Sequence, residues 1–147
     1  MTLTNHLSTG AVIAKLLPLP IAIPLAFASH FVIDSLPHFG FQELETTQQH
    51  WKLWKQVTFI DISIAIIFSI WLIAERHFTW LLVGFVAYSP DIVWVYRFIL
   101  KEKFNKDQSL AKNNRLTEFH SSIQKYERVW GGFIELAYAA IMLLIVS

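Results

Sequence analysis

The chain has 147 residues, room for one domain (1–147); 54% of them are hydrophobic, 16% are charged and the mean hydropathy is +0.45. Soluble domains carry about a quarter charged residues, so this composition argues against a water-soluble globule and for a polytopic membrane protein, with the lipid bilayer as its first partner. The net charge of +1 says nothing about nucleic acid, and no nucleic-acid partner is expected; the absence of cysteine excludes disulfides and thiolate metal sites.

From Gly10 to Ile33 the only charge is Lys15, and Pro18, Pro20 and Pro24 interrupt the run. Proline inside a helix removes a hydrogen bond and clashes with the preceding turn. Pro18-Leu19-Pro20 therefore predicts a turn between a short helix, about Leu3 to Leu17, and a second from about Pro20 to Leu36, with Pro20 in its first turn. One kinked span from Gly10 to Ile33 is the alternative. Lys15, the apolar run after it and Ala26-Phe27-Ala28 also look a little like a signal peptide, but the stretch before Lys15 is long and holds no other basic residue.

Three further segments approach the roughly 17–25 apolar residues that cross a bilayer. Val57 to Ala74 is interrupted by Asp61, Phe78 to Leu100 by Ser89-Pro90-Asp91 and Arg97, and Val129 to Val146 by Glu135. Glu75-Arg76-His77 has room only for a tight hairpin. The segment Arg97–Arg128 holds eight of the twelve basic residues, which predicts a cytoplasmic position. Met1 then starts inside and Ser147 ends outside. Within that segment Leu116, Phe119, Ile123, Tyr126 and Trp130 recur at three- and four-residue spacing, as in an amphipathic helix on the inner membrane face. The expected fold is all-α: a bundle of about five membrane-inserted helices with a cytoplasmic amphipathic helix before the last span.

Under this topology the ionisable residues converge on one side. His30, Asp34 and His38 are spaced four apart, just over one helical turn, so two imidazoles and a carboxylate project from nearly one face. Imidazole with carboxylate suits zinc, manganese or iron. Pro37 is expected to end the helix and leave His38 to swing toward an ion. Asp91 follows a proline break, and broken helices at membrane depth line cavities or sites. His6 and His120 are further candidate ligands. Asp61 and Glu135 are the candidate proton acceptors, with packing roles as the alternative. Intramembrane ionisable groups are costly and default to function. His50 and His77 read as exposed loop residues.

The order Asn5-His6…Gly10, then Asp34 and His38 closing the second helix, then Pro90-Asp91, then Phe119-His120-Ser121 resembles the membrane-bound metal-dependent hydrolases. These are small polytopic bacterial inner-membrane proteins with a LexA-regulated branch. Here Ser-Leu-Pro separates Asp34 from His38, and Phe119 stands where the family usually has Thr. The resemblance implies a divalent metal ion and hydrolysis, of a phosphoester or a lipid-linked bond, at the cytoplasmic membrane face. Lys112, Arg115 and Lys125 would attract anionic lipid headgroups. An ion-coupled carrier, with Asp61, Asp91 and Glu135 forming a path, is the first rival reading. A membrane scaffold is the second.

Overall fold

The computed structural model describes residues 1–40, 48–92, 119, 122–123 and 126–147. They form five α-helices: α1 (Leu3–Leu16), α2 (Leu19–Asp34), α3 (Gln48–Ala74), α4 (Phe78–Tyr88) and α5 (Gly131–Val146), with a 3-10 turn at Ser89–Asp91. No strand occurs among the described residues; His38 and Glu127 form an isolated parallel bridge.

α1 lies at the centre, and each of the other four helices packs against it. Its buried face is polar for much of its length: Thr4, Asn5, His6, Ser8 and Thr9 are buried along with Leu7, Ala11 and Val12. Closest approach is to α4. A Cβ on Gly10 would lie 2.6 Å from the Gly84 Cα, and one on Gly84 would lie 2.8 Å from the Leu7 carbonyl oxygen. Small residues at a crossing let helix backbones meet where side chains would hold them apart. His6 lies one turn before Gly10, Tyr88 one turn after Gly84, and their rings are 6.4 Å apart. The two helices thus cross antiparallel and bring His6 to the carboxyl end of α4.

Two apolar clusters complete the core. Leu7, Ala11 and Val12 of α1 meet Ala65, Phe68 and Leu72 of α3 and Val146 of α5. Ala22 and Ala26 of α2 meet Val83 and Ala87 of α4, a one-turn repeat of small residues on each side. At the far end Lys15 Nζ donates to the carbonyls of Ile145 (2.7 Å) and Val146 (3.0 Å), which tethers the carboxyl end of α5 to α1.

The α3–α4 link is a Schellman turn. His77 N donates to the Leu72 carbonyl and Arg76 N to the Ile73 carbonyl, with Arg76 left-handed at φ 61°. His77 stacks on Trp80, and His50 lies inside α3; both are half-buried, not exposed loop residues.

Among the described residues one helix is long and apolar enough to cross a membrane. The most apolar 18 residues within Lys52–Ala74 have a mean hydropathy of 2.3, and only 17% of them are buried, unlike the core helix of a globule. α2 and α5 are apolar but have 16 residues each, about 24 Å at 1.5 Å per residue. α4 stops at Tyr88 because Pro90 cannot continue the hydrogen-bond ladder. The expected continuation to Leu100 lies outside the described residues, as does most of the expected amphipathic helix. The last residues of that helix depart from expectation. Tyr126–Arg128 run alongside His38–Gly40, with His38 N donating to Tyr126 O and Arg128 N to His38 O. Backbone pairing with the segment after Pro37 replaces helical bonding there. Gly131 allows this bridge to sit on the start of α5, since a Cβ there would collide with the His38 carbonyl.

Candidate metal centre

The first turn of α1, the last turn of α2, the end of α4 and the start of α5 gather at one end of the bundle. His6, His30 and Asp34 are all buried there and offer ligand atoms within 4.8 Å of one another, a group that could hold a metal ion. His6 Nε2 is 3.2 Å from Asp34 Oδ1 and 3.7 Å from Asp91 Oδ2. His30 Nε2 is 3.3 Å from Asp34 Oδ2 and 3.6 Å from Asp91 Oδ1. The two imidazoles stack, with centroids 4.2 Å apart. Two nitrogens from different helices thus face two carboxylates from two more positions.

His30 is oriented from the end of α4. The backbone tightens into the 3-10 turn after Tyr88, and the Ala87 carbonyl lies in the last helical turn before it. His30 Nδ1 lies 2.9 Å from that oxygen. A carbonyl only accepts, so Nδ1 carries the hydrogen and donates. In the neutral ring Nε2 is then a lone pair, and it faces carboxylate oxygens that are also acceptors. Such an arrangement is favourable only with a positive charge between them, a proton or a metal ion. Ser89 Oγ donates to the Val86 carbonyl at 2.8 Å, occupying another acceptor near the break.

His6 makes the same case independently. Its side chain is fully buried; Nδ1 has no hydrogen-bond partner among the described residues, and Nε2 faces only carboxylate oxygens, Asp34 at 3.2 Å and Asp91 at 3.7 Å. An unsatisfied buried polar atom costs about 1–3 kcal/mol, so a ring held this way favours a cation on its Nε2 side. The buried Asn5 Oδ1 beside it is also unpartnered. The site already attracts cations: the Met1 α-ammonium group lies 2.5 Å from Asp34 Oδ1. Two imidazole nitrogens with carboxylate oxygens form a donor set that fits zinc or manganese.

The remaining candidates fall around this group. Asp61 accepts the backbone N–H groups of Leu3 (2.7 Å) and Thr4 (3.0 Å), and Glu135 accepts that of Thr2 (2.9 Å). Both carboxylates therefore satisfy donors at the amino end of α1, which otherwise lack helical partners. Their negative charge also suits that end of the helix dipole. His38 is not with His30 and Asp34. α2 ends at Asp34, the chain turns at Pro37, and His38 lies 3.8 Å from Glu127 with Nδ1 donating to the Leu36 carbonyl. The four-residue spacing holds only while the helix does. His120, Lys112, Arg115 and Lys125 lie outside the described residues.

The contributions of the Ala87 carbonyl, of Tyr88 and of the Thr2–Thr4 backbone were not foreseen from the sequence. Pro90 was the available signal for the first, and the Gly84–Tyr88 spacing for the second. No protein-family model, curated protein or solved structure matches the chain.

Proposed function

We propose that the chain is a polytopic, membrane-embedded metal-dependent hydrolase of the kind its short motifs resemble, working at the cytoplasmic face of the inner membrane. The observation that carries this reading is the buried group of His6, His30 and Asp34, whose ligand atoms lie within 4.8 Å of one another. The distribution of residues supports the membrane setting. Buried positions hold His, Asp, Asn, Ser and Thr, while Phe59, Ile67, Phe133, Leu136 and Leu144 are each at least 67% exposed. Lipid reverses the usual advantage of burying apolar side chains, and it penalises polar groups outside the bundle. Helices α1, α2, α4 and α5 would be inserted beside the α3 span.

His6, His30 and Asp34 would hold the ion, with Asp91 facing both rings. Such an ion, when bound, supplies Lewis-acid activation of water and of the scissile group. The Ala87 carbonyl keeps the hydrogen of His30 on Nδ1 and its lone pair on the ligand side. Asp91 is 16% exposed, so it stands where water reaches the centre and can hold a proton there. Asp61 and Glu135 fix the first turn of α1, and with it His6, and are positioning residues. Among the described residues the buried histidines and carboxylates gather at one end, whereas the opposite end is closed by Lys15 on the α5 carbonyls. That one-sided layout supports an enzyme over a carrier. A phosphoester or lipid-linked substrate suits a centre at this depth.

The test is metal content and thermal stability of the purified protein, with and without chelator, beside Asp34→Asn. The parent should take up zinc or manganese and melt lower in chelator, and the nearly isosteric variant should fold but lose the metal. A parent that takes up neither ion, and whose melting ignores chelator, would overturn the reading.

A further inference from the structure

A groove of about 550 Å³ lies between α3 and α5, beside the metal centre. Its walls are Val57, Ile60 and Ile64 on one side and Leu136, Ala140 and Leu143 on the other. Ile60 and Leu136 are 57% and 71% exposed, so the groove opens on the bundle's apolar outer surface. It follows α5 from Gly132 to Leu143, a rise of about 16 Å at 1.5 Å per residue. That is about half the ~30 Å hydrocarbon thickness of a bilayer, the depth of one leaflet.

Near one end the groove is polar: Thr2, Thr4, Asp61 and Glu135 line it there, with the apolar Val57 and Gly132 about a turn before the two acids on α3 and α5. The Asp34 carboxylate accepts from the Met1 nitrogen and Glu135 from the Thr2 nitrogen. One residue spans at most about 3.6 Å, which puts these two carboxylates within about 9 Å of each other. A molecule in the groove therefore ends beside the His6–His30–Asp34 group. The closing groups are two carboxylates, complementary to a cationic headgroup and repulsive to an anionic one.

From the length, the apolar walls and the carboxylate end, we propose that this groove seats an alkyl chain of a phospholipid with an ammonium headgroup. The ammonium group would meet Asp61 and Glu135, and the adjoining phosphate would face the metal centre. This names the substrate class of the site proposed above and rests on its membrane setting.

The probe is a phosphatidylethanolamine carrying a mid-chain diazirine, mixed into phosphatidylcholine vesicles that hold the full chain. Labelled positions are mapped by mass spectrometry. Label should concentrate on the groove faces of α3 and α5, several-fold above Ile67 and Ile70, which are as exposed but lie off the groove. Unlabelled phosphatidylethanolamine should displace it and phosphatidylglycerol should not. Ala140→Phe should fill the groove and remove that label while leaving Ile67 and Ile70 unchanged, with Ala140→Leu as the milder version should the first not fold. Equal labelling of groove and off-groove positions, or equal competition by phosphatidylglycerol, would overturn the proposal. Repeating the labelling on Asp34→Asn separates the two readings. Groove label that persists there while metal is lost shows lipid seating independent of the ion, and metal uptake without groove label leaves the enzyme reading standing alone.

Discussion

Replacing His6 by Phe separates a ligand from a structural histidine, because the two predict opposite signs in chelator. The ring stacks on His30 at 4.2 Å, and phenylalanine can keep that contact. It also removes two buried nitrogens, of which Nδ1 has no partner among the described residues and Nε2 faces only the Asp34 and Asp91 oxygens. Each such atom costs about 1–3 kcal/mol, and the slightly larger ring adds about 1–3 kcal/mol of crowding. The chelated variant should therefore match the parent or exceed it by a few kcal/mol. With metal the balance shifts toward the parent by about 2.3 kcal/mol. At a free ion concentration 100 times Kd the parent gains about 2.7 kcal/mol. Loss of a ligand should weaken binding at least as much as the 10–100-fold seen for disturbed supporting groups. A 100-fold weaker site gains only about 0.4 kcal/mol at the same ion concentration. The assay is thermal unfolding in detergent across a zinc titration, each point paired with a chelated control. A chelated variant several kcal/mol below the parent, with an unchanged zinc response, would refute the reasoning and make His6 a packing residue.

Three other changes test the surrounding architecture. Gly84→Ala forces a Cβ against the Leu7 carbonyl oxygen; it should cost about 1–3 kcal/mol and weaken zinc binding measured by calorimetry, although it touches no ligand. Asp61→Ala leaves the Leu3 and Thr4 N–H groups without their acceptor; it should lower stability by about 1–3 kcal/mol in thermal unfolding and weaken zinc binding by about 10–100-fold, because Asp61 fixes the turn that carries His6. Arg76→Gly relieves a left-handed non-glycine residue and should stabilise by about 1 kcal/mol, read as a higher melting temperature with unchanged metal content.

The sequence was most informative where prolines and charges interrupt apolar runs. Pro18-Leu19-Pro20 marked the α1–α2 turn, and the observed helices end within a residue or two of the predicted bounds. His30 and Asp34 were legible because their spacing lies inside one helix. His38 was not, since helical spacing loses meaning once the chain leaves α2, and its pairing with Glu127 is a contact across 89 residues that no local pattern encodes. Asp61 and Glu135 were recognisable as buried carboxylates, but not as acceptors for backbone N–H groups, because backbone donors are present at nearly every position. His6 could be singled out by its motif; only the packing shows its Nε2 facing the Asp34 and Asp91 carboxylates. The sequence pattern also overstated the final surface helix, since the periodicity through Tyr126 and Trp130 serves a bridge and a turn in the fold.

The central place of α1 imposes an order on assembly. Of the five helices it leaves the ribosome first, yet many of its polar partners belong to the last. Asn5 reaches the Glu135 carbonyl, Thr9 pairs with Tyr138, and Lys15 holds Ile145 and Val146. These contacts join residues about 130 positions apart, so closing them carries a long-loop entropy cost and comes late. Until α5 arrives, Asn5, Thr9 and Lys15 lack these partners. A chain halted before Gly131 would thus expose an unsatisfied polar helix within an apolar assembly, the kind of species that cellular quality control removes. The same interlock makes the finished bundle an all-or-none object, in which the first turn of α1, with His6, is fixed only once the first and last helices have met.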